Sequence, residues 1–266
     1  PLFFYYNLSG RGPQEITCDI YTGRIKPSLP GEEGYAQIRD YLQKVVAQKA
    51  QANKADCVVS YTGEGSFSNS LSAWKDEQVT LKEQFPQAFG TAESARLYMF
   101  YMYPKIIKDV LTKELQRKEV DLFLFHEHGV PDRQYLTGNP PATHEEAYFT
   151  HGQRSLRSLI RQQVRYRRFA EGSPEMTGYM REIEKNYGLD SIWTATYFDP
   201  AIRVQDSLYD AAQGIMLDDV TNIRPQPRIV IFDACYNADF REPDCIATRY
   251  ILTEGSGTIA CFGNSV

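Results

Sequence analysis

Short apolar runs alternate with stretches of helical pattern along this chain of 266 residues. That alternation constrains the fold more than any other feature. The runs are Leu2–Tyr6, Cys57–Ser60, Ala95–Tyr101, Val120–Phe125, Arg228–Phe232 and Gly257–Phe262, with Ile16–Ile25 as a further strand candidate. Between them, Gly31–Lys54 reads as an amphipathic helix, with Tyr35, Ile38, Leu42, Val45 and Val46 on one face. Ala73–Phe85, Pro104–Glu119 and Asp244–Thr253 are further helices; Pro104 stands at a helix start, where its missing N–H costs least. Strands that alternate with helices imply an α/β fold, a mainly parallel sheet with helices on both faces. In such sheets function gathers at the carboxyl ends of the strands.

Composition narrows the function classes. Hydrophobic residues are 42% and charged residues 24%, ordinary values for a globular chain. At about 150 residues per domain the length suggests one large domain or two small ones, enough to bury a core without disulfides. The net charge of −5 argues against a nucleic-acid partner. No apolar run approaches the roughly 18 residues of a membrane span, so no transmembrane segment is expected here. Six arginines, Arg154, Arg157, Arg161, Arg165, Arg167 and Arg168, crowd one helical stretch, but Glu171, Glu175, Glu182 and Glu184 follow closely. A solvated helix face with ion pairs explains them. The chain opens at Pro1 on a strand-like run and stops at Gly263–Val266, and the expectation is a piece of a longer precursor that carries other domains.

Two strand ends carry the chemistry. Val120–Phe125 delivers His126, Glu127, His128 and Gly129; Arg228–Phe232 delivers Asp233, Ala234, Cys235, Tyr236 and Asn237. Neighbouring strand ends of a parallel sheet lie close together, so a His and a Cys far apart in sequence can share one cleft. A thiolate nucleophile needs a partner to handle protons, and an imidazole can serve. Gly129 lets the backbone turn sharply beside His128, which favours His128 over His126 as the catalytic imidazole. The amides of Gly129 and Cys235 are natural donors to an oxyanion. Against this, a lone Cys at a strand end often serves only as a small hydrophobe. Five Cys leave one unpaired within the chain. Cys18, Cys57 and Cys261 lie in apolar strands, and Cys245 sits at a helix start. No Cys/His pair has the short spacing of a zinc motif, so no metal site is expected.

The residues around these ends resemble the caspase-like clan of cysteine peptidases. Val120–Gly129 is similar to its strand–His-Gly signature and Ile229–Cys235 to its strand–Ala-Cys signature. The stretch Ala234–Phe240, with the Cys245 helix, the Gly257–Ala260 strand and the turn Gly23-Arg24-Ile25, resembles the gingipain family more specifically. The resemblance covers residues 1–138 and 227–266 and implies one caspase-like catalytic domain, truncated at both ends. It implies Cys235 as nucleophile, His128 as general acid/base, and Glu64 as an acidic partner near the His. It implies a protein or peptide substrate and a secreted or cell-surface location in bacteria. It requires no cofactor and allows structural calcium.

The sequence also departs from that family. Its members have a far shorter connection between His-Gly and Cys. Residues 139–226 therefore read as a helical insertion, bounded by Gly138–Pro141 and Arg224–Pro227. Within it, Pro174–Tyr187 and Asp199–Gln213 read as helices. The segment Ser66–Trp74 holds no acidic residue, so a pocket for basic side chains is not expected; Phe67 or Trp74 would favour an apolar one. The leading expectation is a cysteine endopeptidase working through a thioacyl-enzyme. A sortase-like transpeptidase of a secretion system shares the chemistry and differs in the acyl acceptor. A non-catalytic scaffold of the same family and an intracellular caspase-like effector are the further alternatives.

Overall fold

The structure is a computed structural model. It describes residues 23–51, 55–63, 79–86, 95–99, 104–136, 153–154, 156–157, 160–161, 163–164, 167–188 and 196–265. Leu2–Tyr6, Glu64, Phe67 and Trp74 lie outside the described residues. So does Ile16–Ile25 except for its last three residues, which are not in a strand.

Five strands, β1 (Val58–Thr62), β2 (Ala95–Met99), β3 (Leu122–His126), β7 (Ile229–Asp233) and β8 (Ala260–Gly263), form one sheet. Its order is β2-β1-β3-β7-β8, and each neighbouring pair is parallel. The chain runs outward from β1 to β2, then returns to β3 and runs the other way. Strand order therefore reverses between β1 and β3, where Thr62 stands beside His126 in register. A crevice at such a reversal is the usual ligand position of an open α/β sheet.

Side-chain alternation sorts the strands onto two cores. Val59, Tyr61, Phe123, Phe125, Val230 and Phe232 face one side. They meet α2 (Pro104–Leu115) through Leu111 and Leu115, α5 (Leu217–Ile223) through Val220 and Ile223, and α6 (Ile246–Leu252) through Ile246 and Tyr250. Val58, Leu122 and Leu124 face the other side and meet Leu81 and Phe85 of a helical segment at 79–86. The sheet thus has helices on both faces. Phe125 stacks on Phe123 at 4.4 Å and on Phe232 at 5.8 Å, and the Tyr250 ring meets Phe232 edge-on at 5.1 Å. Each such buried ring contributes about 1.5–3 kcal/mol.

Two helices later in the chain begin and end as their sequences direct. Ser173 caps α3 (Pro174–Tyr187) by accepting from Met176 N, and Gly188 closes it in the left-handed conformation at φ 63°. Asp199 caps α4 (Pro200–Gln213) by accepting from Ala201 N. Helix α1 (Gly31–Lys49) differs from the expected amphipathic picture. Tyr35, Leu42 and Val46 are exposed. The helix is fastened instead by polar tips: Tyr41 donates to Ile259 O and Lys44 donates to Ile251 O. A helical apolar stripe shows which face can be buried, whereas contacts with neighbours decide which face is.

A second, small antiparallel sheet was not evident from apolar patterning. It joins β4 (His128–Val130), β5 (Arg133–Tyr135) and β6 (Gly214–Met216). Strand β6 and α5 lie within the stretch expected to be a helical insertion. Yet β6 pairs with the hairpin that follows β3, and Ile215, Val220 and Ile223 are buried in the main core. Residues 214–223 are therefore packed with the large sheet. Ahead of them, Ile160, Met176, Met180, Ile183 and Tyr197 form a separate small core. There Asp206 is gripped by Arg157 at 2.7 and 2.9 Å and by Arg161 at 2.7 Å. That ion pairing accounts for part of the arginine-rich stretch.

Candidate active site

The described parts of the candidate site stand on three short pieces of chain at the carboxyl edge of the sheet. The first is the end of β3. It closes with His126, breaks at Glu127 and restarts as β4 at His128. The break places His126 and His128 in different sheets. His126 Nδ1 lies 3.2 Å from Asp233 Oδ2, its register partner on β7. His128 is exposed.

The second piece is the turn after β7. Cys235 is exposed there, directly beyond the strand. Tyr236 follows at φ 59°, a left-handed conformation that non-glycine residues seldom adopt and that costs about 1–3 kcal/mol. The surroundings impose it. Asn237 is fully buried and donates to Val130 O at 2.7 Å and Arg133 O at 3.1 Å. Its carbonyl accepts from Ala247 N of α6 at 3.0 Å, and Ala238 N donates to Asn264 O at 3.0 Å. The turn is thereby fixed to the β4–β5 hairpin, to α6 and to the segment after β8.

Gly129 is the third piece, and it joins the other two. A Cβ on Gly129 would stand 2.6 Å from Asn237 Nδ2, 2.7 Å from Cys235 O and 2.8 Å from Asn237 Cγ. The backbone of β4 can come this close to the Cys turn only because residue 129 has no side chain. The structure therefore brings the backbone at Gly129, next to His128, against the Cys235 turn, across the long stretch of chain that separates them. Glu64, Phe67 and Trp74 are outside the described residues.

The other described cysteines are less exposed than Cys235. Burial pushes the thiols of Cys57, Cys245 and Cys261 above their ordinary value, which keeps them protonated and inert. Among the described residues Cys235 is the exposed cysteine. No group of three or more His, Cys, Asp or Glu among the described residues could hold a metal ion. No helix among them is long and apolar enough to cross a membrane.

Beneath the hairpin lies a polar chain that sequence reading missed. Glu127 is buried and its Oε1 accepts from Gln134 Nε2 at 2.8 Å. Gln134 Oε1 accepts from Tyr250 Oη at 2.9 Å. Burial holds the Glu127 carboxyl well above its ordinary value of 4.5, with the bond from Gln134 opposing. Burial, with Glu127 nearby, likewise raises the Tyr250 hydroxyl. One charged residue between two histidines suggests an exposed loop; only the fold shows that Glu127 points inward. Asn237 was legible as a turn former, and its position two residues past Cys235 is the available signal for its anchoring role.

No protein-family model matches this chain, and comparisons with curated proteins and with solved structures found no match.

Proposed function

We propose that this chain is the catalytic region of a cysteine endopeptidase of the caspase-like, gingipain type. One observation carries the reading: Gly129 lies against the Cys235 carbonyl and Asn237 so closely that no side chain fits between them. Exposed His128 at the start of β4 and exposed Cys235 in the turn after β7 flank that contact at one sheet edge. The strained Tyr236 backbone supports it, since such strain gathers at functional turns.

In this mechanism the Cys235 thiolate attacks the peptide carbonyl carbon, and the carbonyl electrons move onto oxygen. The amides of Gly129 and Cys235 hold that oxyanion. Collapse breaks the C–N bond, and the His128 imidazolium gives its proton to the leaving amine. A thioester remains on Cys235. His128, now neutral, takes a proton from water, and the hydroxide carbon–oxygen bond forms as the C–S bond breaks. The products are a carboxylic acid, an amine and the free thiolate. Glu64 is the acidic partner proposed for His128, and Phe67 and Trp74 the lining for an apolar substrate side chain. A secreted or cell-surface location accompanies the family resemblance.

The test uses a quenched fluorescent casein and a peptidyl acyloxymethyl ketone. The expected result is cleavage and covalent labelling at Cys235, both abolished in Cys235→Ala with an unchanged circular dichroism spectrum. Equal cleavage by the Cys235→Ala protein would refute the assignment.

A further inference from the structure

We propose that Glu127 is a positioning residue for the His128–Gly129 hairpin, holding it through Gln134 and Tyr250 against the helix that follows the Cys235 turn. Its effect on turnover rests on the function proposed above; its effect on the hairpin does not.

Three placements carry the inference. Glu127 is the single residue between the end of β3 and the start of β4, so its side chain anchors the point where the chain leaves one sheet for the other. Its partner Gln134 is the register partner of Gly129 across the hairpin and of Ile215 on β6. Gln134 in turn accepts from Tyr250 of α6, the helix whose first turn takes the Asn237 carbonyl through Ala247 N. The path therefore runs from the His128 turn to the Cys235 turn entirely through buried groups. Glu127, Gln134 and Tyr250 are each 2% exposed or less.

The surroundings suit an uncharged acid. Gln134 supplies the donor to Oε1, and Oε2 is buried with no hydrogen-bond partner among the described residues. An ionised carboxylate there would lack donors on one oxygen, a costly arrangement. Among the described residues, Gln134 from β5 bonds Glu127, Tyr250 from α6 lies near it, and the Tyr61 ring from β1 approaches the same point above Gly63 as the Glu127 Cβ. The first is neutral, burial raises the Tyr250 hydroxyl, and Tyr61 gives its hydroxyl to Leu136 O. His126 and His128 flank Glu127 along the chain. Because the folded carboxyl is raised, its contribution is fully present below about 4.5 and fades as pH rises toward the folded value.

The experiment follows amide hydrogen exchange of residues 128–135 between pH 6 and pH 9 in the wild type, Glu127→Gln and Glu127→Ala, with casein cleavage measured alongside. At pH 6, Glu127→Ala should exchange this hairpin about tenfold faster than wild type, while Glu127→Gln restores protection. As pH rises, the wild-type hairpin should lose protection relative to Glu127→Gln by up to about tenfold per pH unit until the carboxyl has ionised. Cleavage should track the hairpin, with kcat falling in Glu127→Ala and recovering in Glu127→Gln. Should Glu127→Ala fail to fold, the pH dependence of wild type against Glu127→Gln decides alone. Equal exchange in all three proteins, or a Glu127→Gln hairpin as open as that of Glu127→Ala, would overturn the proposal. A wild type that cleaves no casein overturns the peptidase reading and leaves the exchange comparison to judge Glu127.

Discussion

Replacing Gly129 by Ala tests the contact on which the candidate site depends. The new Cβ would lie 2.6 Å from Asn237 Nδ2, 2.7 Å from Cys235 O and 2.8 Å from Asn237 Cγ. Ordinary carbon contacts need about 3.5 Å or more. None of these atoms is the free end of a flexible side chain. Cys235 O is backbone, and Asn237 is fully buried and held by bonds to Val130 O and Arg133 O. Overpacking a closed site costs about 1–3 kcal/mol. If Asn237 yields instead, it loses two hydrogen bonds at a net of about 1 kcal/mol each. Both routes lead to about 1–3 kcal/mol, a large share of a typical stability of about 5–15 kcal/mol. Urea denaturation followed by circular dichroism reads this directly. A double-mutant cycle with Asn237→Ala isolates the contact, because that change removes two of the three colliding atoms. The doubly substituted protein should lose at least about 0.5 kcal/mol less than the sum of the single losses. Casein cleavage should fall in Gly129→Ala as the two turns separate. A Gly129→Ala protein within about 0.5 kcal/mol of wild type, with full cleavage, would refute the geometry.

Three further outcomes are expected. His128→Ala should abolish casein cleavage, whereas His126→Ala, which breaks the pair with Asp233, should lower it by less; the reverse ranking would move the catalytic role to His126. Asp206→Asn should destabilise the protein by about 3 kcal/mol at pH 7, because it leaves Arg157 and Arg161 without their buried partner. Burial alone would raise the Asp206 carboxyl, but the bonds from Arg157 and Arg161 outweigh it and hold it below its ordinary 3.8. That stability is present above about 3.8 and lost as pH falls through the lower folded value, so the gap should close toward pH 2; a constant gap would refute it. Burial lowers the Lys44 amine to about 8, so its folded-state penalty is full below that pH and relieved as pH rises to 10.5. Lys44→Gln should therefore be more stable relative to wild type at pH 7 than at pH 10.5, by about 1–2 kcal/mol in urea titrations; no change between the two would contradict the desolvation.

Some of this was open to inspection in the letters. Val120–Phe125 and Arg228–Phe232 read as strands because their apolar residues are continuous and end abruptly, and both pair in the sheet. Ser173-Pro174 and Asp199-Pro200 mark helix starts by local capping, which needs no tertiary partner. The strands β4, β5 and β6 leave no apolar pattern because three residues are too few for a period, and β6 follows α4 with no break. The exposed face of α1 is not legible in the sequence because hydrophobicity ranks faces while polar anchors such as Tyr41 and Lys44 can choose among them.

By itself, the sequence determined the elements whose signals are local: apolar runs, helix caps, and a Gly set directly after a His at one strand end. It also supplied Cys235 at another strand end, with nothing local to say that the two ends meet. Only the tertiary structure decided that Gly129 packs against the Cys235 turn, that His126 pairs with Asp233, and that Glu127 points into the core toward Gln134. The physical reason is the reach of each force. Capping and periodicity act within a few residues, whereas strand order, steric fit and desolvation act between residues that only folding brings together.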